Sequence, residues 1–155
     1  MRNRTEVRPF EAADLGPVLG VWYRSWHAAF PHLQDPHPMG EWRARLRDEI
    51  AVHNTIWVAE AAGRVVGFTA MRADDGYIDQ LFVDIDVQGS GVGSALLEVA
   101  RELAPMGLRL HTLVENAPAR AFYEKRGFVP GGMETNAFNG QPNIEYVWRP
   151  HTDPR

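Results

Sequence analysis

The chain contains no cysteine, which excludes disulfides, a thiolate nucleophile and thiolate metal sites. Basic runs are also missing and the net charge is −4, so neither nucleic acid nor an anionic membrane surface is an expected partner. No segment approaches the ~20 apolar residues of a membrane span. The opening stretch MRNRTEVRPFEAADL lacks the apolar core of a secretory signal, and a cytoplasmic protein is expected. His27, His32 and His37 recur every five residues across a segment broken by prolines, which puts no two on one helical face; no metal site is expected there. Internal repeats, low-complexity tracts and linkers are absent too.

What remains has the composition of an ordinary soluble domain, 155 residues with 45% apolar and 23% charged. Such a length buries roughly 70% of the surface its unfolded form exposes, which suits a single core. In chain order, Glu6 to Phe10 reads as a short strand. Asp14 stands where an N-cap would, ahead of an apolar stripe of Leu15, Val18, Leu19, Trp22, Trp26, Ala29 and Phe30. Pro31 stops that helix, and the loop PHLQDPHP follows. Met39, Trp42, Leu46 and Ile50 mark a second helix, whose charges Arg43, Arg45, Arg47, Asp48 and Glu49 read as a solvated face. Strands from Thr55 to Ala61 and from Arg64 to Met71 flank Ala62-Gly63, a hairpin signal. Asp74-Asp75-Gly76 then turns into a strand from Tyr77 to Val83. A helix from about Gly91 to Leu103, a strand from Leu108 to Val114 and a helix from Ala117 to Arg126 come next, the last stopped by Gly127. A strand opens at Phe128, a glycine- and asparagine-rich loop spans 131–142, a strand from Asn143 to Trp148 closes the sheet, and the tail from Pro150 is expected to fray. The order β-α-α-β-β-β-α-β-α-β-β predicts an α/β layout in one domain over residues 1–155.

The chain is organised around YIDQLFVDIDVQGSGVGSALL, residues 77 to 97. A strand there feeds a glycine-rich turn that opens a helix, so unpaired backbone N–H groups converge on one spot with the positive end of a helix dipole behind them. Such a cradle binds phosphate, and side chains must be absent where the anion approaches. A P-loop needs Lys then Ser or Thr after its last glycine, whereas Gly93 is followed by Ser94 and Ala95. The dinucleotide fingerprint needs G-x-G-x-x-G, and Gly89, Gly91 and Gly93 do not fit it.

What fits is Q-x-x-G-x-G, from Gln88 through Gly91 to Gly93, which resembles the acyl-CoA pyrophosphate loop of the GCN5-related N-acetyltransferases. Across one helix and one strand follows NAPARAFYEKRGF, Asn116 to Phe128, similar to the N-x-x-A-x-x-x-Y-x-x-x-G-F block of the same family. The resemblance implies the family's α/β fold, a mixed, mostly antiparallel sheet of about seven strands splayed between the fourth and fifth and flanked by about four helices. It implies acetyl-CoA as co-substrate, no metal, and a homodimer as one option, often built through the last strands. It assigns the backbone of Leu81, Phe82 and Val83 to the acetyl and pantetheine groups. Gln88, Gly89, Ser90, Gly91, Val92, Gly93 and Ser94 hold the pyrophosphate, and Asn116, Ala119 and Tyr123 lie along the arm.

The implied chemistry is direct acyl transfer to a primary amine in a ternary complex. Tyr123 is the candidate general acid for the departing thiolate, since a phenol of ordinary pKa ~10 can supply its proton. The amine must first lose a proton, and His111 and Asp79 are the candidate bases. His111 lies five residues before Asn116, where ribosomal-protein acetyltransferases of this family carry a glutamate. Asp79 shares strand parity with Leu81 and Val83. Glu60 and Glu115 stand behind these two, and a reaction without a dedicated base is the remaining option. The aromatics of the first two helices read as core, with Trp26 and Phe30 open to a second role as the acceptor-site wall. The 131–142 loop, with Glu134, Asn136, Asn139 and Gln141, is either a plain connection or the lip of that site. A small-molecule amine is expected ahead of a peptide acceptor (a protein N-terminus or lysine), and the alternative from another class is a non-catalytic acyl-CoA-binding module.

Overall fold

A computed structural model of the chain describes residues 4–137 and 139–150. Past Pro150, the tail expected to fray lies outside the described residues, as does Phe138 of the expected loop. The strands are β1 (Thr5–Pro9), β2 (Thr55–Ala61), β3 (Arg64–Arg72), β4 (Tyr77–Val83), β5 (Leu108–Leu113), β6 (Val129–Thr135) and β7 (Pro142–Trp148). The helices are α1 (Leu15–Ala29), α2 (Met39–Arg45), α3 (Ala51–His53), α4 (Val92–Leu103) and α5 (Ala117–Lys125). A π turn, Leu46–Ile50, joins α2 to α3, so these two form one helical run and four helical bodies result.

The sheet runs β1-β2-β3-β4-β5-β7-β6. β3 is buried from Val65 through Met71, as a strand covered on both faces must be. Alternation sorts the two faces. Val58, Phe68 and Ala70 pack with Val18, Trp22 and Trp42 of the α1–α2 layer. Ala59 and Val66 pack with Val92 and Leu96 of α4. Trp22 and Trp42 meet edge to face with centroids 4.6 Å apart, which locks α1 to α2. Beyond β4, Leu97, Leu110, Tyr123, Phe128 and Tyr146 close a further cluster between α4, α5 and the β5–β7 half.

All neighbouring strands are antiparallel except β4 and β5. These run parallel and pair only at Tyr77↔Arg109 and Ile78↔Leu110. The closed end is held where Gly76 (φ +67°) passes Gly107; a Cβ at Gly76 would lie 2.3 Å from the Gly107 carbonyl oxygen. The Arg109 N–H donates to the Gly76 carbonyl at 2.9 Å across the same point. From Asp79 onward the β5-facing edge of β4 has no strand partner, and the sheet opens.

Two expectations need correction. Asp14 does not cap α1 with its side chain, because a 3-10 turn, Ala12–Asp14, already runs into that helix. Its buried carboxylate instead accepts Arg8 at 2.8 and 3.0 Å and the Glu11 N–H at 2.8 Å. The loop expected over 131–142 is shorter, because β6 continues through Gly131 and Gly132 to Thr135. A register shift between Pro130 and Met133 absorbs those residues as a bulge.

Candidate active site

Two cavities open from the gap between β4 and β5 and share five residues, Leu81, Phe82, Asn116, Ala119 and Tyr123. The larger, about 750 Å³, runs along the glycine-rich turn between α4 and α5. Its walls include Val83, Gln88, Gly89, Gly91, Gly93 and Ser94, all residues that the motif reading singles out. Ser90 and Val92 do not line it: the Ser90 hydroxyl turns back onto the Val87 carbonyl, and Val92 is buried beneath the turn. Gly91 opens α4 at φ +92°, a conformation that disfavours any side chain. Glycine at 93 answers a different need, since a Cβ there would stand 3.1 Å from the Phe122 ring.

The turn is anchored from behind. Asp84 is 2% exposed; burial opposes its charge, but Arg24 at 2.7 Å and the Ile85 N–H at 2.9 Å hold its pKa below the usual carboxylate value. The Val83 carbonyl accepts from the Ser25 hydroxyl at 3.0 Å and from the Gln88 amide at 3.1 Å, tying α1 and the turn to the end of β4. Asn116 caps α5 by accepting the Ala119 N–H at 3.2 Å. Motif reading missed Arg126, which lines the larger cavity, lies 3.8 Å over the Phe122 ring and donates to the Ser94 hydroxyl at 2.7 Å. It stands inside the motif, and only the fold reveals that it reaches back to α4.

The smaller cavity, about 130 Å³, lies on the other side of Tyr123. Trp26 and Phe30 line it together with Trp22 and Trp42, and so do Asp79 and His111. Tyr123 sits at the junction, 6% exposed, with edge-on contacts to Phe122 at 5.1 Å and Phe128 at 5.3 Å. Burial pushes its phenol well above the ordinary tyrosine value, with Arg126 pulling slightly back. The proton therefore stays on the oxygen at neutral pH.

The two candidate bases differ in how much of their hydrogen-bonding capacity is in use. Asp79 accepts from the Asn54 amide at 2.9 Å and the Gln80 amide at 3.3 Å, and about two of its four lone-pair positions remain. Both His111 nitrogens are engaged, Nδ1 with the Tyr77 hydroxyl at 2.8 Å and Nε2 with Glu134 at 2.9 Å. A carboxylate at Nε2 calls for a proton there, so in the neutral ring Nδ1 accepts from Tyr77. Arg72 and Arg109 stack on the Tyr77 ring, each 4.6 Å from its centroid. Of the other acids, Glu60 pairs with Arg8 at 2.8 Å and lines neither cavity; Glu115 lines the larger one and pairs with His32 at 2.8 Å. His27 and His37 go to different carboxylates, Asp35 and Glu41.

Arg45 overturns its expected place on a solvated face, since it lines the smaller cavity. It follows Trp42 by three residues, so helical spacing already sets it on the flank of the apolar stripe. Asn136 and Asn139 of the connection after β6, and Asn143 of β7, line this cavity as well.

A family model described as an acetyltransferase (GNAT) domain matches residues 52–130. The chain is 32% identical over 129 residues to the peptidyl-lysine N-acetyltransferase YjaB of Salmonella typhimurium, covering 81% of this chain and 83% of that protein. The solution structure of apo YjaB from Escherichia coli superposes with a TM-score of 0.75 at 27% identity, covering 94% of this chain and 97% of that one. A PaiA N-acetyltransferase from Thermoplasma acidophilum, solved in complex with coenzyme A, shares the fold with a TM-score of 0.68 at 17% identity, over 92% of this chain and 98% of that one.

Proposed function

The chain belongs to the GCN5-related N-acetyltransferase (GNAT) family, and from that premise we propose that it moves acetyl from acetyl-CoA directly to a primary amine, with the whole chain as one catalytic domain. The observation that carries this reading is the meeting of a long cavity and a short one at Tyr123, in the gap between β4 and β5. The long cavity suits the pantetheine arm and pyrophosphate, and the short one suits the acceptor. Unpaired backbone along the open edge of β4 is a suitable source of donors for the oxyanion.

An alkylammonium of pKa about 10.4 is protonated at neutral pH and must lose a proton before it can attack. Asp79 takes that proton, directly or through a water; His111 is the second candidate, and Glu134 would stabilise its cation. The nitrogen then forms a bond to the thioester carbonyl carbon, and the C–S bond breaks. Tyr123 gives its proton to the sulfur, and the nitrogen's remaining surplus proton replaces it as the amide forms.

A small-molecule amine leads as acceptor because the short cavity is small, about 130 Å³, and aromatic side chains are prominent in its lining. Acetylation of peptidyl lysine is the second reading, favoured by the activity named for YjaB. The test is release of free CoA thiol from acetyl-CoA over a panel of amines, with melting temperature as the binding control. Ligand at a hundred times its Kd adds about 2.7 kcal/mol, a rise of roughly 5–10 °C for a domain of this size. A rise without CoA release for any amine or lysine peptide would leave a non-catalytic acyl-CoA-binding module. No rise at millimolar acetyl-CoA would refute the cradle itself.

A further inference from the structure

Arg45 belongs to the acceptor cavity, yet the transfer as described gives it no task. Arg45 lines that chamber with Asp79, His111 and Tyr123, and its side chain is only 25% exposed. It lies against Trp22, 5.5 Å from the ring centroid. Glu49 pairs with it at 3.9 Å, but Glu49 is 70% exposed and the contact sits at the limit of an ion pair, where little is gained. Asp79 acts on it as a charge at a distance. Burial still draws the guanidinium below the ordinary arginine pKa against both carboxylates, so its desolvation outweighs their attraction.

A chamber with a fixed cation, a fixed anion and an aromatic wall complements a molecule carrying an ammonium and a carboxylate together. We propose that the acceptor is an amino acid, or another small amine bearing a carboxylate, held by that carboxylate on Arg45 while its amine stands beside Asp79 and Tyr123. A guanidinium fork matches a carboxylate with two parallel hydrogen bonds, which would set the amine's orientation as well as hold it. The lysine side chain of a folded protein carries no carboxylate next to its reacting amine, so Arg45 distinguishes the two acceptor classes. This inference rests on the chamber being the acceptor site.

The experiment measures CoA release with matched pairs: phenylalanine against phenethylamine, 4-aminobutyrate against butylamine, and a lysine peptide with blocked termini. The carboxylate-bearing member is expected to lead in kcat/KM by roughly 10- to 100-fold, as for hydrogen bonds to a charged group. In Arg45→Met, which keeps the stem over Trp22, that ratio falls to near one, and Arg45→Lys restores part of it. Independently of any variant, 3-phenylpropionate competes with the amine acceptor in the wild-type protein. Equal or better turnover of phenethylamine, butylamine or the peptide, or a ratio that persists in Arg45→Met, overturns the inference and leaves the transferase reading standing. Absence of CoA release with every acceptor, together with no thermal shift by acetyl-CoA, overturns both.

Discussion

Replacing Tyr123 with phenylalanine removes one oxygen and little else. The ring contacts to Phe122 at 5.1 Å and Phe128 at 5.3 Å survive the change. Among the described residues no hydrogen bond uses the Tyr123 hydroxyl, so no partner is orphaned, and stability should move by less than about 1 kcal/mol. The rate should move far more. General acid catalysis is worth about 10²–10⁴-fold, or about 2.7–5.4 kcal/mol of barrier. The assay is kcat from CoA thiol release with acetyl-CoA and amine saturating, beside melting curves of both proteins. The expected pattern is a kcat at least about 100-fold lower with the Tm nearly unchanged. A folded Tyr123→Phe protein with kcat within a few-fold of wild type would refute the assignment. Burial supplies a second readout. The Tyr123 pKa is raised in the folded state above the ordinary 10.0, so above about pH 10 the unfolded chain binds fewer protons than the folded one. Wild-type stability therefore falls as pH rises through that range, and Tyr123→Phe flattens the fall.

Asp79→Asn keeps a side chain of similar shape beside Asn54 but removes the proton acceptor; kcat at neutral pH should drop about 10²-fold or more, with partial recovery at high pH where the amine deprotonates unaided. Glu134→Gln should disturb the rate far less if Asp79 is the base. A loss as large as that of Asp79→Asn would instead make the Glu134–His111–Tyr77 chain the proton acceptor, and the pH profiles of the two variants discriminate. Gly91→Ala forces a Cβ into φ +92° at the start of α4, costing about 1–2 kcal/mol and weakening acetyl-CoA binding by calorimetry without altering the pH profile.

Much of the larger cavity's lining was legible because its information is local. The glycine turn between β4 and α4, the Asn116 cap and Tyr123 lie within short stretches whose spacing alone carries the motif, and most of those residues line one cavity. The hairpin at Ala62-Gly63 was legible for the same reason, both residues taking the positive φ of a primed turn. The smaller cavity was legible only in part. Trp26 and Phe30 were readable as apolar, but nothing in their helical period separates a core aromatic from a cavity wall, and here both residues serve as both. Arg45 read as surface because charged residues on helices mostly are, and its exception depends on what stands opposite.

The sequence by itself determined the alternation of elements, the glycine turn at the end of β4 and the presence of a phenol on α5, since each depends on residues close together in the chain. Only the tertiary structure decided which polar groups share a chamber. The divergence of β4 from β5 after Ile78 opens the space that Asp79 and His111 line, and Arg45 of α2 lines it too. The same folding leaves Glu60 bound to Arg8 on the far edge of the sheet and engages both nitrogens of His111. These outcomes follow from packing and charge between residues far apart in the chain, and such interactions exist only once the sheet has formed.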